Sequence, residues 1–209
     1  MRTLAIETAT EACSVALFDG TSLVDARHEV LGRGHAERLI PMIAELPANG
    51  KAERILVSLG PGSFTGVRIG VAAGRALGIA WCAQVLGYPT LALVAARSQR
   101  DEQGPVTVCM NGGHGEWFVQ NFSSGLAPSD DVRSLTPEAA RSVCSYDRIA
   151  GNRAHALADL FDGDKQAIDI LPEAADALLL PEALLTTELS PIYGRAPDAK
   201  LPGGKVPQS

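Results

Sequence analysis

The apolar positions of the chain change period along its length. TLAIET (3–8), CSVALF (13–18) and SLVDARHEV (22–30) are short runs separated by brief polar breaks, which predicts three consecutive antiparallel strands. In RGHAERLIPMIAEL (33–46), Leu39, Ile40, Met42, Ile43 and Leu46 recur at helical spacing. RILVSL (54–59) reads as a strand. Residues 65–81 read as a helix in which Gly66, Gly70, Gly74 and Gly78 fall on every fourth position. A strand at QVLGY (84–88) and a helix at TLALVAARSQ (90–99) complete the first half.

This order, β-β-β-α-β-α-β-α, joins a meander to parallel βαβ units. It predicts an α/β protein of the actin-like (ribonuclease-H-like) class, the fold of actin, Hsp70 and sugar kinases, in two small lobes. The polar break SQRDEQGP (98–105) sets the boundary, with an N-terminal lobe at 1–99, a shortened second lobe at 100–193 and a flexible tail at 194–209. In the second lobe VTVCM and GEWFVQNF read as strands around the turn-rich NGGHG (111–115). TPEAARSVCS reads as a helix with Thr136 as N-cap and Pro137 at its first position. DRIAG and QAIDIL suit short strands with a helix at NRAHALADLF between them, and PEAADALLLPEALL (172–185) suits a last helix. No internal repeat stands out.

Composition narrows the function classes. A chain of 209 residues, 46% hydrophobic, can bury a substantial core. Its net charge of -6 argues against unaided binding of a polyphosphate backbone. Cys13, Cys82, Cys109 and Cys144 form no CxxC pair, so a disulfide framework or zinc ribbon is not expected. The N-terminal MRTLAIETAT lacks a signal-peptide core, and the most apolar region, 69–85, carries Arg75. A cytoplasmic, non-membrane protein is expected.

GPGSFTGVRIGVAAGRALG (60–78) invites comparison with phosphate loops and fails each. No Lys follows a glycine as in GxxxxGK[ST], and Gly66 comes one residue late for GxGxxG. Ser63 lacks the flanking glycines of GxSxG. Four glycines inside a helix cost roughly 2–4 kcal/mol against alanine. A backbone approaching closely along the glycine ridge would offset that cost. Either the chain's own sheet and helix 35–46 or a second chain could supply it. His35 and Glu37 are followed at i+4 by Leu39, not by the second histidine of a zincin-type pair. Glu7, Thr8 and Thr10, at the end of the first strand, are candidates for a vestigial phosphate loop able to hold magnesium. No Ser/His/Asp or Cys/His set assembles.

LAIETATEACSVAL, GRGHAERLIPMI, SLGPGSFTGVRIGVAAGRALG and PIYGRAPDAK together resemble the TsaB (YeaZ) family of bacterial tRNA threonylcarbamoyladenosine (t6A) synthesis, over essentially residues 2–200. The resemblance implies a non-catalytic subunit that dimerises with a TsaD-type catalytic subunit and recruits a TsaE-type ATPase. Together they transfer threonylcarbamoyl to adenosine 37 of ANN-decoding tRNAs. It implies no cofactor on this chain alone, with ATP, magnesium and metal on partner subunits, and tRNA bound only through the complex. In the catalytic paralogue an HxExH metal motif occupies the place of His35, Glu37 and Leu39. The resemblance makes the two helices an interface, with His35, Glu37, Arg38, Leu39, Pro41 and Met42 from the first and Thr65, Gly66, Arg68, Ile69, Gly70, Ala73 and Gly74 from the second. The same surface can form a homodimer. Asn111, Gly112, Gly113 and His114 depart from the DARRGEVY pattern of many relatives. The alternatives from other classes are a glycoprotease-related metallopeptidase and an independent actin-like ATPase or kinase.

Overall fold

The computed structural model describes residues 1–194; the greater part of the tail expected at 194–209 lies outside the described residues. The first sheet comprises β1 (Arg2–Glu7), β2 (Ala12–Asp19), β3 (Ser22–Val30), β4 (Arg54–Ser58) and β5 (Gln84–Tyr88), in the order β3-β2-β1-β4-β5. The meander strands pair antiparallel, and β1/β4 and β4/β5 pair parallel. The crossovers are α1 (His35–Ala44) and α2 (Phe64–Trp81), with α3 (Thr90–Asp101) following β5. This is the actin-like topology expected from the element order.

The second sheet is built from β6 (Val106–Gly113), β7 (Glu116–Phe122), β8 (Arg133–Leu135), β9 (Arg148–Ala150) and β10 (Gln166–Ile168), with α4 (Pro137–Val143) and α5 (Ala154–Ala158) as crossovers. Its order, β8-β7-β6-β9-β10, repeats that of the first sheet, again with an antiparallel meander joined to a parallel pair. The repeat is invisible in the sequence because it resides in strand pairing, not in side-chain identity. β8 is likewise silent in the sequence, since three residues are too few to display a period. The Thr136 cap is present, its hydroxyl accepting from the Ala139 amide.

Alternation along the first-sheet strands sends Leu4, Ile6, Ile55 and Val57 to the side of α1 and α2, and Ala5, Ala16 and Leu56 to the other. That second side meets α3, whose residues Leu91–Ala96 are all buried. Val108, Met110 and Phe118 of the second sheet close over α3 from beyond. A helix apolar around its whole circumference needs walls on every side, and the two sheets provide them. The lobes therefore share one core across α3.

The expected helix at 172–185 is instead two short 3₁₀ turns, Ala174–Leu179 and Glu182–Leu184. Pro181 lacks the amide that a continuous helix would use there. The same segment, expected within the second lobe as far as residue 193, folds back onto the first lobe. The Ala174 amide donates to Ser14 Oγ at 3.0 Å, Gly87 and Thr186 exchange backbone hydrogen bonds, and the Ile192 amide donates to the Leu59 carbonyl at 2.7 Å. The pairing with Gly87 covers the open edge of β5, an edge otherwise free to pair with another chain. Among the described residues no helix is long and apolar enough to cross a membrane.

Candidate functional site

The glycine ridge of α2 faces inward. A Cβ on Gly66 would lie 2.1 Å from the Thr8 carbonyl oxygen, one on Gly70 2.4 Å from Thr8 Oγ1, and one on Gly78 2.4 Å from a Val85 methyl. The Thr8 hydroxyl donates to the Gly66 carbonyl at 2.8 Å, tying the end of β1 to the first turn of α2. The chain's own sheet thus supplies the close approach that offsets the glycines' cost. Gly66, Gly70 and Gly74, expected at the partner interface, are all buried within the lobe.

His35, Leu39 and Met42 are buried too. His35 Nε2 lies 3.1 Å from the Ala12 carbonyl oxygen, which anchors the start of α1 to β2. With that nitrogen engaged and an apolar side chain one turn on, these residues do not fit a metal pair. Among the described residues no group of three or more His, Cys, Asp and Glu is placed to hold a metal. Arg38 is committed within the lobe, its Nε donating to Glu29 at 2.9 Å and Nη1 to Glu45 at 2.6 Å.

Glu37, Pro41, Thr65 and Arg68 are exposed, and Ile69 and Ala73 half-buried. The outward face contains more than these. Ala36, Ile40 and Ala44 of α1 and Ala72, Ala76 and Ile79 of α2 are exposed, Ile79 to 83%. The two helices pack side by side, so the first lobe presents a two-helix apolar face. Sequence reasoning passed over these positions because the glycines drew attention to the opposite side. The available signal was that α2 is apolar at Ala72, Ala76 and Ile79 as well, so that Arg68 and Arg75 alone carry charge along its outward side.

The phosphate-loop candidates divide. Glu7 is fully buried; its Oε1 accepts the Ala9 amide at 2.7 Å, and its Oε2 lies 3.3 Å from the Tyr88 hydroxyl. Thr8 is spent on Gly66, and a Cβ on Gly62 would lie 2.0 Å from the Ala9 carbonyl oxygen. The β4–α2 loop therefore seals this turn, and Glu7 and Thr8 do not fit a magnesium-phosphate group. Thr10 borders an interlobe cleft of about 860 Å³, with Glu11, Arg68 and the Asn111–His114 hairpin also on its walls. Asn152 Nδ2 donates to the Glu11 carboxylate at 2.9 Å across this cleft, and the Asn111 amide donates to Asn152 Oδ1 at 2.9 Å.

Burial pushes the Glu7 carboxyl up from 4.5 to about 7, against the opposing hydrogen bonds from Ala9, Ser58 and Tyr88. An acid with a raised folded-state pKa binds more protons folded than unfolded between those values. Stability then falls as pH rises from 4.5 through about 7, by about 3 kcal/mol for such a shift. Glu7→Gln is expected to flatten this part of the stability–pH curve. Urea unfolding of both proteins across the window checks it, and parallel curves would refute the assignment.

A family model described as TsaD, tRNA N6-adenosine threonylcarbamoyltransferase, matches residues 27–163. The chain is 43% identical over 106 residues to the tRNA threonylcarbamoyladenosine biosynthesis protein TsaB of Escherichia coli strain K12, covering 48% of this chain and 45% of that protein. It thus spans less than half the length of that curated relative. Among solved structures, YeaZ from Pseudomonas aeruginosa superposes with a TM-score of 0.78 at 26% identity, covering 92% of this chain and 99% of that one. An uncharacterized protein with similarity to peptidase YEAZ from Pseudomonas aeruginosa superposes with a TM-score of 0.72 at 27% identity, covering 85% and 88%. The chain belongs to the family of TsaD, the tRNA N6-adenosine threonylcarbamoyltransferase, and within it is similar to the TsaB and YeaZ proteins.

Proposed function

We propose that this chain is a non-catalytic subunit of the machinery that installs threonylcarbamoyladenosine at position 37 of ANN-decoding tRNAs. The observation that carries the reading is the exposed apolar face of α1 and α2, in a family member whose own residues at the motif, His35 and Leu39, are unsuited to metal. An apolar patch rimmed by polar residues on a water-facing lobe calls for a protein partner. That partner is a TsaD-type catalytic subunit, and the pair recruits a TsaE-type ATPase. In its absence two copies of this chain cover the same face as a homodimer. ATP, magnesium and metal belong to the partner subunits, and the assembly works in the cytoplasm.

Reconstitution tests the proposal. Modification of a tRNA by the catalytic and ATPase partners is expected to require this chain, and undiminished modification without it would overturn the reading. Peptidase chemistry, suggested by the name of one structural relative, would require a metal pair that His35 and Leu39 do not make.

A further inference from the structure

Most arginines of the described residues are neutralised by the chain's own carboxylates, as Arg38 is by Glu29 and Glu45, Arg54 by Glu182, and Arg148 by Glu102. Among the described residues Arg33, Arg68, Arg75 and Arg153 have no such partner, nor has Arg2 at the start of β1. One of these, Arg68, lies on the wall of the interlobe cleft, whose carboxylate Glu11 is engaged by Asn152, and Arg33 and Arg153 are exposed and follow the wall residues Gly32 and Asn152 in sequence. On a chain of net charge -6, a group of unneutralised cations marks where an anion gains most.

At the cleft mouth the Arg68 guanidinium lies 3.4 Å over the centroid of Phe64 and donates to the Tyr193 hydroxyl at 3.1 Å. The Phe64 and Tyr193 ring centroids are 5.9 Å apart. Both rings are more than half exposed, Phe64 at 58% and Tyr193 at 52%, although each would gain from burial. The backbone positions the cluster: Phe64 and Arg68 sit one turn apart on α2, and Tyr193 follows Ile192, whose amide donates to the Leu59 carbonyl. Preformed aromatic faces beside unpaired guanidinium groups suit planar bases joined by phosphates. An acidic peptide would use the cations and leave the rings idle.

We propose that this cleft mouth is a contact for single-stranded RNA, with an unpaired base stacked at Phe64 and Tyr193 and the backbone phosphates at Arg68, Arg33 and Arg153. The proposal rests on the tRNA-modification reading for the identity of the strand and amends it in one respect. The complex holds the RNA, and this chain adds a contact of its own. It also separates Arg68 from Ile69 and Ala73, which belong to the protein-facing side of α2.

Fluorescence anisotropy with a short labelled single-stranded RNA, the full chain and low salt tests it. A saturable rise is expected, weakened roughly tenfold by Phe64→Ala and similarly by Arg68→Ala. Arg33→Glu combined with Arg153→Glu is expected to flatten the salt dependence, and Arg2→Ala to change nothing. Phe64→Leu keeps the apolar volume and removes the stacking face, so its loss of affinity, with an unchanged thermal melt, separates recognition from folding. No saturable binding, or binding indifferent to Phe64 and Arg68, overturns the proposal. So does equal binding of polyglutamate, or displacement of the RNA by ATP at concentrations no higher than the RNA's own. Failure of the subunit reading is seen separately: modification proceeding without this chain, with RNA affinity intact, sinks that reading and leaves the contact standing.

Discussion

Gly66→Ala is expected to destabilise the protein by about 3–5 kcal/mol, a large share of the stability of a domain of this size. The added methyl would sit 2.1 Å from the Thr8 carbonyl oxygen, a distance no relaxed structure keeps. The clash is with backbone, so no rotamer change relieves it. α2 must lift from β1, which breaks the 2.8 Å hydrogen bond from Thr8 Oγ1 to the Gly66 carbonyl in a buried place. Gly74→Ala is the control. Its Cβ would have Val57 and Val85 atoms nearest, at 3.6–3.7 Å, ordinary contact distances, and alanine is the better helix former by up to about 1 kcal/mol. Urea midpoints are expected to fall sharply for the first variant and to hold or rise for the second. Equal midpoints would show that the ridge does not touch the sheet.

Ile79→Glu is expected to abolish association through the α1–α2 face, a loss of at least about a hundredfold in affinity, while leaving the fold intact. Ile79 is 83% exposed, so the substitution removes almost no intrachain packing, and its effect on stability should stay within about 0.5 kcal/mol. At an interface core the same carboxylate would be desolvated without a partner. Sedimentation with the catalytic subunit, and of the chain alone, reads both forms of pairing. A variant that associates as the unsubstituted chain does would remove α2's outer face from the interface. Together with Gly66→Ala this separates the two sides of one helix: the inner side holds the lobe together, and the outer side is left for a partner.

The strands, the helices of the first lobe and the actin-like class were legible because hydrophobic period reports how an element is buried. TLAIET and RILVSL carry apolar residues to both faces, as strands covered on both sides must, and TLALVAARSQ carries enough for a helix enclosed by two sheets. The absence of a metal pair at His35 and Leu39 was legible for a simpler reason, since a missing donor is missing in any fold. The regular glycines were legible as a demand for close approach, but their spacing cannot say which surface approaches. A ridge without side chains satisfies a neighbouring helix and an underlying sheet equally well.

The tertiary structure decided what depends on direction and distance. It turned the glycine ridge toward Thr8 and Val85, buried His35 against Ala12, and left Ala72, Ala76 and Ile79 outside. It brought Tyr193 back to Phe64 and Arg68 across more than a hundred residues of chain, a contact that no local pattern encodes. The repeat of the strand order in the second lobe likewise exists only in the pairing. The sequence by itself determined the strands and helices of the first lobe and the missing second histidine at Leu39, because both follow from residue type and period. Which face of each element looks inward, and which distant residues meet, was settled only by packing, because side-chain volume is tested against neighbours that the linear order does not name.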